Sequence, residues 1–324
     1  MILSDFQGNI YVFYQKNNSN YSIIKKYDPA GRLLADLNEE NGLEKISDWS
    51  FWDVDEKDNL FVCEYGYSGY PFLRFNKRGS LTVKELIPFR KNFLMGFFLR
   101  NNNIYLLTDV NIRDNRVIKI SKVSEDLKFT RELYTKTCKP LIKVPIFSGS
   151  LTSFYKPYSK LKNKWAVDSE GLLYIADTSQ YQISVYNQNG ELVKVIDRPD
   201  YKPLKVTDID KQVYYDRFFG PPYGSGIPDK IKRRIIKEYK FPVYKPGIKK
   251  MIIDDEDRIW VLTYEINDQY FSGVDIFDRQ GIYLQRVWMT LFPEFVRDDK
   301  IYCISDDGYG GAVSRVYAFV KNEL

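Results

Sequence analysis

The side chains with most capacity for chemistry are tyrosines and carboxylates set in short loops that follow a recurring hydrophobic, aromatic, hydrophobic phrase. Tyr65, Tyr67, Tyr70, Tyr181, Tyr264 and Tyr309 each pair a flat apolar body with a hydroxyl, which suits peptide backbones, sugars or bases. Such tyrosines also pack between structural units, and both readings stay open. Glu64, Asp109, Asp177, Asp306 and Asp307 accompany them, and Asp177 and Asp306 count with the tyrosines as candidate ligand contacts. Carboxylates converging on a central channel could hold a calcium ion, although an Asp at a loop end equally caps backbone amides. A third group is basic: Lys230, Arg233, Arg234 and Lys237. The chain has no histidine, which removes Ser-His-Asp and Cys-His nucleophile systems, the usual catalytic zinc sites and any imidazole base. Carboxylate, tyrosine, lysine or calcium chemistry stays allowed, and no motif commits the chain to a reaction.

The elements that position these groups follow from the phrase itself, which occurs as Ile10-Tyr11-Val12, Leu60-Phe61-Val62, Ile104-Tyr105-Leu106, Leu173-Tyr174-Ile175, Ile259-Trp260-Val261 and Ile301-Tyr302-Cys303. Four copies carry an Asp five positions ahead (Asp5, Asp55, Asp168, Asp254), able to bond amides two residues on and close a tight turn. Downstream come second turns such as Asp28-Pro29-Ala30-Gly31 and Asn187-Gln188-Asn189-Gly190. Each copy reads as four short antiparallel strands, which is a propeller blade, and a repeat unable to bury its own apolar face must stack on its neighbours. The third copy lacks the Gly turn, and the sixth leaves no room for a fourth strand before Leu324.

The expected fold is all-β: a single six-bladed β-propeller domain over residues 1–324, with blades about 1–37, 49–86, 94–133, 164–197, 249–287 and 292–324. Inserts fill about 134–163 and 198–248. The six phrase aromatics should sit at equivalent positions of the second strand. Cys63 and Cys303 fall in columns otherwise apolar and should be buried, whereas Cys138 falls in the first connection, where it could be exposed.

Composition agrees with a large core: 44% of the residues are hydrophobic, and no stretch approaches a membrane span. Net charge is +5, but it is unevenly placed. Residues 134–164 hold seven lysines and no acid, and residues 198–250 hold fourteen basic and six acidic residues, so the blade framework is net acidic. Both inserts cross from an outermost to the next innermost strand and should stand on one face, beside the second-to-third strand loops. Their aromatic and apolar content predicts order. The second insert predicts one helix over about Pro228 to Tyr239, with Ile227, Ile231, Ile235 and Tyr239 on its inner side. Its basic side is either solvated or turned to an anionic partner.

With these features in hand, the chain resembles bacterial six-bladed propeller proteins of the NHL-repeat and TolB-like superfamily. Val167-Asp168-Ser169-Glu170-Gly171-Leu172-Leu173-Tyr174-Ile175-Ala176-Asp177, followed by Ile183-Ser184-Val185-Tyr186-Asn187, is similar to an NHL repeat. Phe241-Pro242-Val243-Tyr244-Lys245-Pro246 is similar to what those proteins carry ahead of their fifth blade. The resemblance implies several functions, among them RNA-binding modules, ligand-recognition ectodomains and calcium-dependent lactonases; a related zinc lyase needs histidines. It also implies export, hence an extracytoplasmic location with a leader and a ring-closing strand upstream of Met1. The expected function is a non-enzymatic, monomeric recognition module binding a peptide, protein or glycan on the insert-bearing face. A calcium- and carboxylate-dependent lactonase-type hydrolase, or a module binding nucleic acid or another anionic polymer, are the alternatives.

Overall fold

The structure, a computed structural model, describes residues 2–5, 7–15, 21–43, 46–47, 50–55, 57–64, 70–87, 93–112, 115–124, 130–138, 142–146, 150–154, 164–176, 180–220, 227–298, 300–306 and 312–318. Its first unit is a meander of β1 (Ile2–Ser4), β2 (Ile10–Gln15), β3 (Tyr21–Tyr27) and β4 (Leu33–Asp36), extended by the short helix α1 (Leu37–Glu40) and by β5 (Ile46–Ser47), which pairs with β3. The second comprises β6 (Phe51–Val54), β7 (Leu60–Cys63), β8 (Tyr70–Phe75) and β9 (Leu81–Ile87). The third comprises β10 (Phe93–Arg100), β11 (Asn103–Ile112), β12 (Asn115–Ser124) and β13 (Thr130–Cys138). A separate hairpin, β14 (Ile142–Ile146) and β15 (Ser150–Phe154), precedes the fourth unit of β16 (Trp165–Val167), β17 (Leu173–Ile175), β18 (Gln182–Tyr186) and β19 (Leu192–Asp197). Helices α2 (Asp208–Phe219) and α3 (Asp229–Glu238) lead into β20 (Lys250–Ile253), β21 (Ile259–Ile266), β22 (Ser272–Phe277) and β23 (Tyr283–Met289). The chain ends in β24 (Phe295–Arg297), β25 (Lys300–Asp306) and β26 (Ala312–Ala318).

The architecture is an all-β propeller with few helices. The expectation of six blades is corrected: five units reach the four-stranded form, and the terminal unit is a three-stranded sheet among the described residues. The innermost strands β1, β6, β10, β16, β20 and β24 lie side by side in that order.

The phrase aromatics Tyr11, Phe61, Tyr105, Tyr174, Trp260 and Tyr302 all lie in second strands and are buried. A polar-tipped ring in a core needs an acceptor, and the Asp column supplies it. Trp260 Nε1 donates to Asp254 Oδ2 at 2.8 Å, and the Tyr174 hydroxyl donates to Asp168 Oδ2 at 3.1 Å. The other oxygen closes the turn, since Asp168 Oδ1 accepts from the amides of Glu170 (3.0 Å) and Leu172 (2.8 Å), and Asp254 Oδ1 from Glu256 (3.0 Å) and Arg258 (2.7 Å). One Asp thereby ties its turn and its core aromatic together. Gly171 stands at φ +81° in this turn, where a Cβ would also meet the Tyr105 hydroxyl at 2.6 Å.

Cys63 and Cys303 are buried free thiols as the columns require, with burial raising both, Cys303 to about 11. Cys138 is corrected: it is buried, because β13 runs on through it and the blade reaches further into the first insert than the repeat suggested.

Candidate functional site

Within each meander the first-to-second strand turns lie at one end of the blade, and the crossings to the next blade lie at the other. The propeller therefore has a turn face and an insert face, and groups of interest occur on both.

On the insert face, the second insert folds as a helical pair, whereas the sequence reading anticipated only its second helix. The Thr207 hydroxyl accepts from the Asp210 amide while the Asp210 carboxylate accepts from the Thr207 amide, a reciprocal capping box that starts α2. The Thr207-x-x-Asp210 spacing was the available signal; α2 shows little apolar periodicity, because its inner side is aromatic. Tyr214, Tyr215 and Phe219 pack with Ile231, Ile235, Tyr239 and Phe241 into a small separate core. The rings of Tyr214 and Tyr239 stack at 5.3 Å, with their hydroxyls bonded to each other. Helix α3 follows expectation, opening after Pro228 and burying Ile235 and Tyr239. It lies next to β14, so the two inserts meet.

Lys230, Arg233, Arg234 and Lys237 are all exposed on the outer side of α3. Arg234 pairs with Glu238 at 2.8 Å, while Lys230, Arg233 and Lys237 have no ion-pair partner among the described residues. Between them Ile236 is 45% exposed, and on the outer side of α2 Ile209 and Val213 are 76% and 61% exposed. Val243, 69% exposed, lies beside the start of α2, its carbonyl accepting from the Val206 amide.

The root of this lobe is pinned to the propeller by one carboxylate. Asp275, fully buried in β22, accepts from the Tyr181 hydroxyl at 2.8 Å, from Arg198 Nη1 at 2.9 and 3.0 Å, and from Arg286 Nε at 2.7 Å. Arg198 and Tyr201 open the insert, and the Tyr201 ring lies 4.9 Å from that of Tyr181. Burial raises the Asp275 carboxyl, and burial and Arg198 lower Arg286, which also pairs with Glu265.

These contacts explain what became of the tyrosines. Tyr181, a candidate ligand contact, takes the packing alternative: it is 5% exposed, and burial and Asp275 raise its hydroxyl far above the usual range. The returning arm of the insert covers it so closely that a Cβ on Gly247 would stand 2.6 Å from Tyr181 Cα. Tyr264 is half-buried between Lys245 and Lys249, each 5.8 Å from its ring centre. Burial, then Lys245, lowers Lys249. Tyr70 begins β8 and Asp306 ends β25, with only their backbones described; Tyr65, Tyr67, Asp177, Asp307 and Tyr309 lie outside the described residues. Asp109 accepts from Arg116 Nε at 2.5 Å, and burial pushes Glu64 up to about 7. Among the described residues no group of three or more carboxylates or cysteines is placed to hold a metal.

The turn face holds residues that sequence reasoning missed. A cavity of about 270 Å³ opens there in the channel, lined by the ends of the inner strands. Strand register aligns Ser4, Val54, Leu99, Val167, Ile253 and Val296 opposite the first residue of each phrase. The next position is the Asp column in the first, second, fourth and fifth units, but Arg100 in the third and Arg297 in the last. Both of those units replace the Asp turn with a tight two-residue link, Asn101 and Asn102 at φ +51° and +53° in one and Asp298 at φ +49° in the other. The signal was present in the spacing, since each Arg stands four residues, not five, before its phrase.

No family model matches the chain, and no curated protein matches it. Solved propellers are similar in fold. TolB from Acinetobacter baumannii is 11% identical (TM-score 0.48), the match covering 98% of this chain and 62% of TolB. The β-propeller domain of the Trilobed protease from Pyrococcus furiosus is 10% identical (TM-score 0.47; 98% and 78% covered). Regucalcin, a calcium-binding protein from Agrobacterium tumefaciens, is 13% identical (TM-score 0.44; 97% and 88% covered). The NHL resemblance thus rests on the motifs alone.

Proposed function

We propose that the chain is a recognition module whose α2–α3 lobe binds a protein or peptide partner on the insert face, the partner presenting acidic residues around an apolar patch. The observation that carries this reading is the lobe's outer surface. Ile209 and Val213 on α2, Ile236 on α3 and Val243 just beyond it are exposed, as are Lys230, Arg233 and Lys237 on α3, while the inner sides of both helices are already packed. An apolar centre with a charged rim is the composition of a protein interface, and a stable lobe pinned through Asp275 presents it without further ordering cost.

The test is selection of binders from a displayed peptide library, with heparin, single-stranded RNA and a glycan array in parallel. Selected peptides should combine acidic and large apolar residues. Val213→Asp should weaken them at least tenfold, and Lys230→Ala, Arg233→Ala and Lys237→Ala together should weaken them and flatten the salt dependence. Peptides indifferent to both changes would refute the reading, as would binding of RNA or heparin alone, which would favour the anionic-polymer alternative.

A further inference from the structure

We propose that the outer edge of blade five, strand β23, is a docking surface for a second copy of this chain, the two strands pairing antiparallel about a two-fold axis. This goes beyond partner recognition by the lobe and uses a different part of the molecule.

The first observation is how the outer strands guard their edges. An outermost strand offers unpaired backbone N–H and C=O groups to any extended chain, and outward charges or a short length are the usual protection. Strand β4 is short and turns directly into α1. Strand β9 exposes Lys84 and Glu85, β13 exposes Arg131 and Glu132, and β19 carries Lys194 and ends in the exposed Asp197. Strand β23 runs Tyr283-Leu284-Gln285-Arg286-Val287-Trp288-Met289 and pairs with β22 alone among the described residues. Its one charge is Arg286, and that guanidinium is turned inward, onto Asp275 at 2.7 and 3.0 Å and onto Glu265. Of the outer strands whose side chains are described, β23 therefore reaches its edge without an outward charge. A bulge does not set it apart either, since all five carry a register irregularity and β23 pairs regularly from Gln285 to Met289.

The second observation is what this edge presents. Leu284 and Trp288 are 51% and 41% exposed, with Ile282 and Tyr283 exposed beside them. Trp288 is held in place: a Cβ on Gly273 would stand 3.3 Å from its Cζ3, and the Arg286 guanidinium lies 5.5 Å from its ring centre. An aromatic already ordered loses little freedom on docking. The occupant follows from symmetry and size. A two-fold axis sets one strand edge against itself as an antiparallel ladder and closes at two copies. Arg286 brings its own two carboxylates, so each copy meets apolar surface and a charge already countered. The two edges would cover on the order of 1,000 Å² in all, the size of weak, reversible associations. Such pairing turns the two insert faces to opposite sides, which leaves both lobes free for separate partners.

The experiment is sedimentation equilibrium of the purified chain from low to high micromolar concentration, with hydrogen exchange measured at both ends of that range. The expected result is a monomer–dimer equilibrium that stops at twice the chain mass, with amides of Gln285 to Met289 gaining protection as concentration rises. Leu284→Lys with Trp288→Lys, which restores an edge charge, should raise the dissociation constant at least about tenfold. Leu33→Lys with Leu34→Lys, an exposed apolar pair on blade one, should change it less than about twofold. Should the first pair not fold, Leu284→Lys alone should weaken the dimer at least about threefold. A chain monomeric throughout, open-ended association, equal weakening by the two lysine pairs, or a dimer without added protection in β23 would each overturn the proposal. None of these outcomes touches the reading of the lobe.

Discussion

The repeated Asp of the turns and the single Asp at the root of the lobe use a buried carboxylate in opposite ways. On the turn face, Asp168 and Asp254 bond amides two and four residues on and a ring six residues on. Everything such an Asp needs is supplied by its own unit, so the device can be copied from blade to blade. On the insert face, Asp275 gathers Tyr181 and Arg198, more than seventy residues away, together with Arg286 from the adjoining strand. Among the described residues, no other carboxylate gathers two arginines and a tyrosine in this way. Local carboxylates build the scaffold, and a long-range one fastens the part that differs.

The largest test of this contrast is Asp254→Ala. It leaves Arg258 and the Trp260 indole without their buried acceptor and should cost about 3–5 kcal/mol in denaturant unfolding. A loss under about 1 kcal/mol would mean that the turn does not depend on its carboxylate. Asp275→Asn should cost less, about 2–3 kcal/mol, because the amide oxygen still accepts while two arginines lose their counter-charge. Its more telling readout is limited proteolysis, where cleavage within residues 198–250 should precede loss of the blades. Cleavage that only tracks global unfolding would show that the lobe is not separately fastened.

Glu64 gives a smaller, pH-dependent effect. Burial holds it at about 7 against an ordinary value of 4.5. Between those values the folded chain binds the extra proton, so stability falls as pH rises through that window, and below it the penalty is absent. Glu64→Gln should therefore stabilise at pH 8 by about 1 kcal/mol, after allowance for partial exposure, and by nothing at pH 4. An equal gain at both values would place the effect in packing. Smallest of all, Lys230→Ala, Arg233→Ala, Arg234→Ala and Lys237→Ala together should change stability by under about 0.5 kcal/mol, since these side chains are exposed. A larger loss would make the basic row part of the lobe's own architecture.

Much of the scaffold was legible because its interactions are short in sequence. The Asp, the turn and the phrase lie within eight residues, and the second-strand position of Tyr11 or Trp260 follows from that spacing. The burial of Tyr181 was not legible, because the covering backbone at Gly247 lies 66 residues on and carries no side chain to betray it. Helix α2 escaped notice for a related reason: its inner side is built of Tyr214, Tyr215 and Phe219, rings equally at home in strands or loops until a second helix packs on them. Arg100 and Arg297, which both line the cavity, were hidden by the same wear that made the third and sixth copies look degenerate.

The inserted lobe also bears on how the ring is made during synthesis. Each blade is a contiguous meander and can close as soon as its own residues leave the ribosome. Blade five cannot follow blade four directly, because residues 198–249 must emerge first, a delay of about 3–10 s at typical elongation rates of about 5–20 residues per second. Throughout that interval the flank of blade four formed by Tyr181, Ile183 and Ile196, later sealed against Ile248, Met251 and Phe277, stands uncovered. The lobe's aromatic residues pack on one another and not on that flank, so its core can form while the flank still waits for blade five.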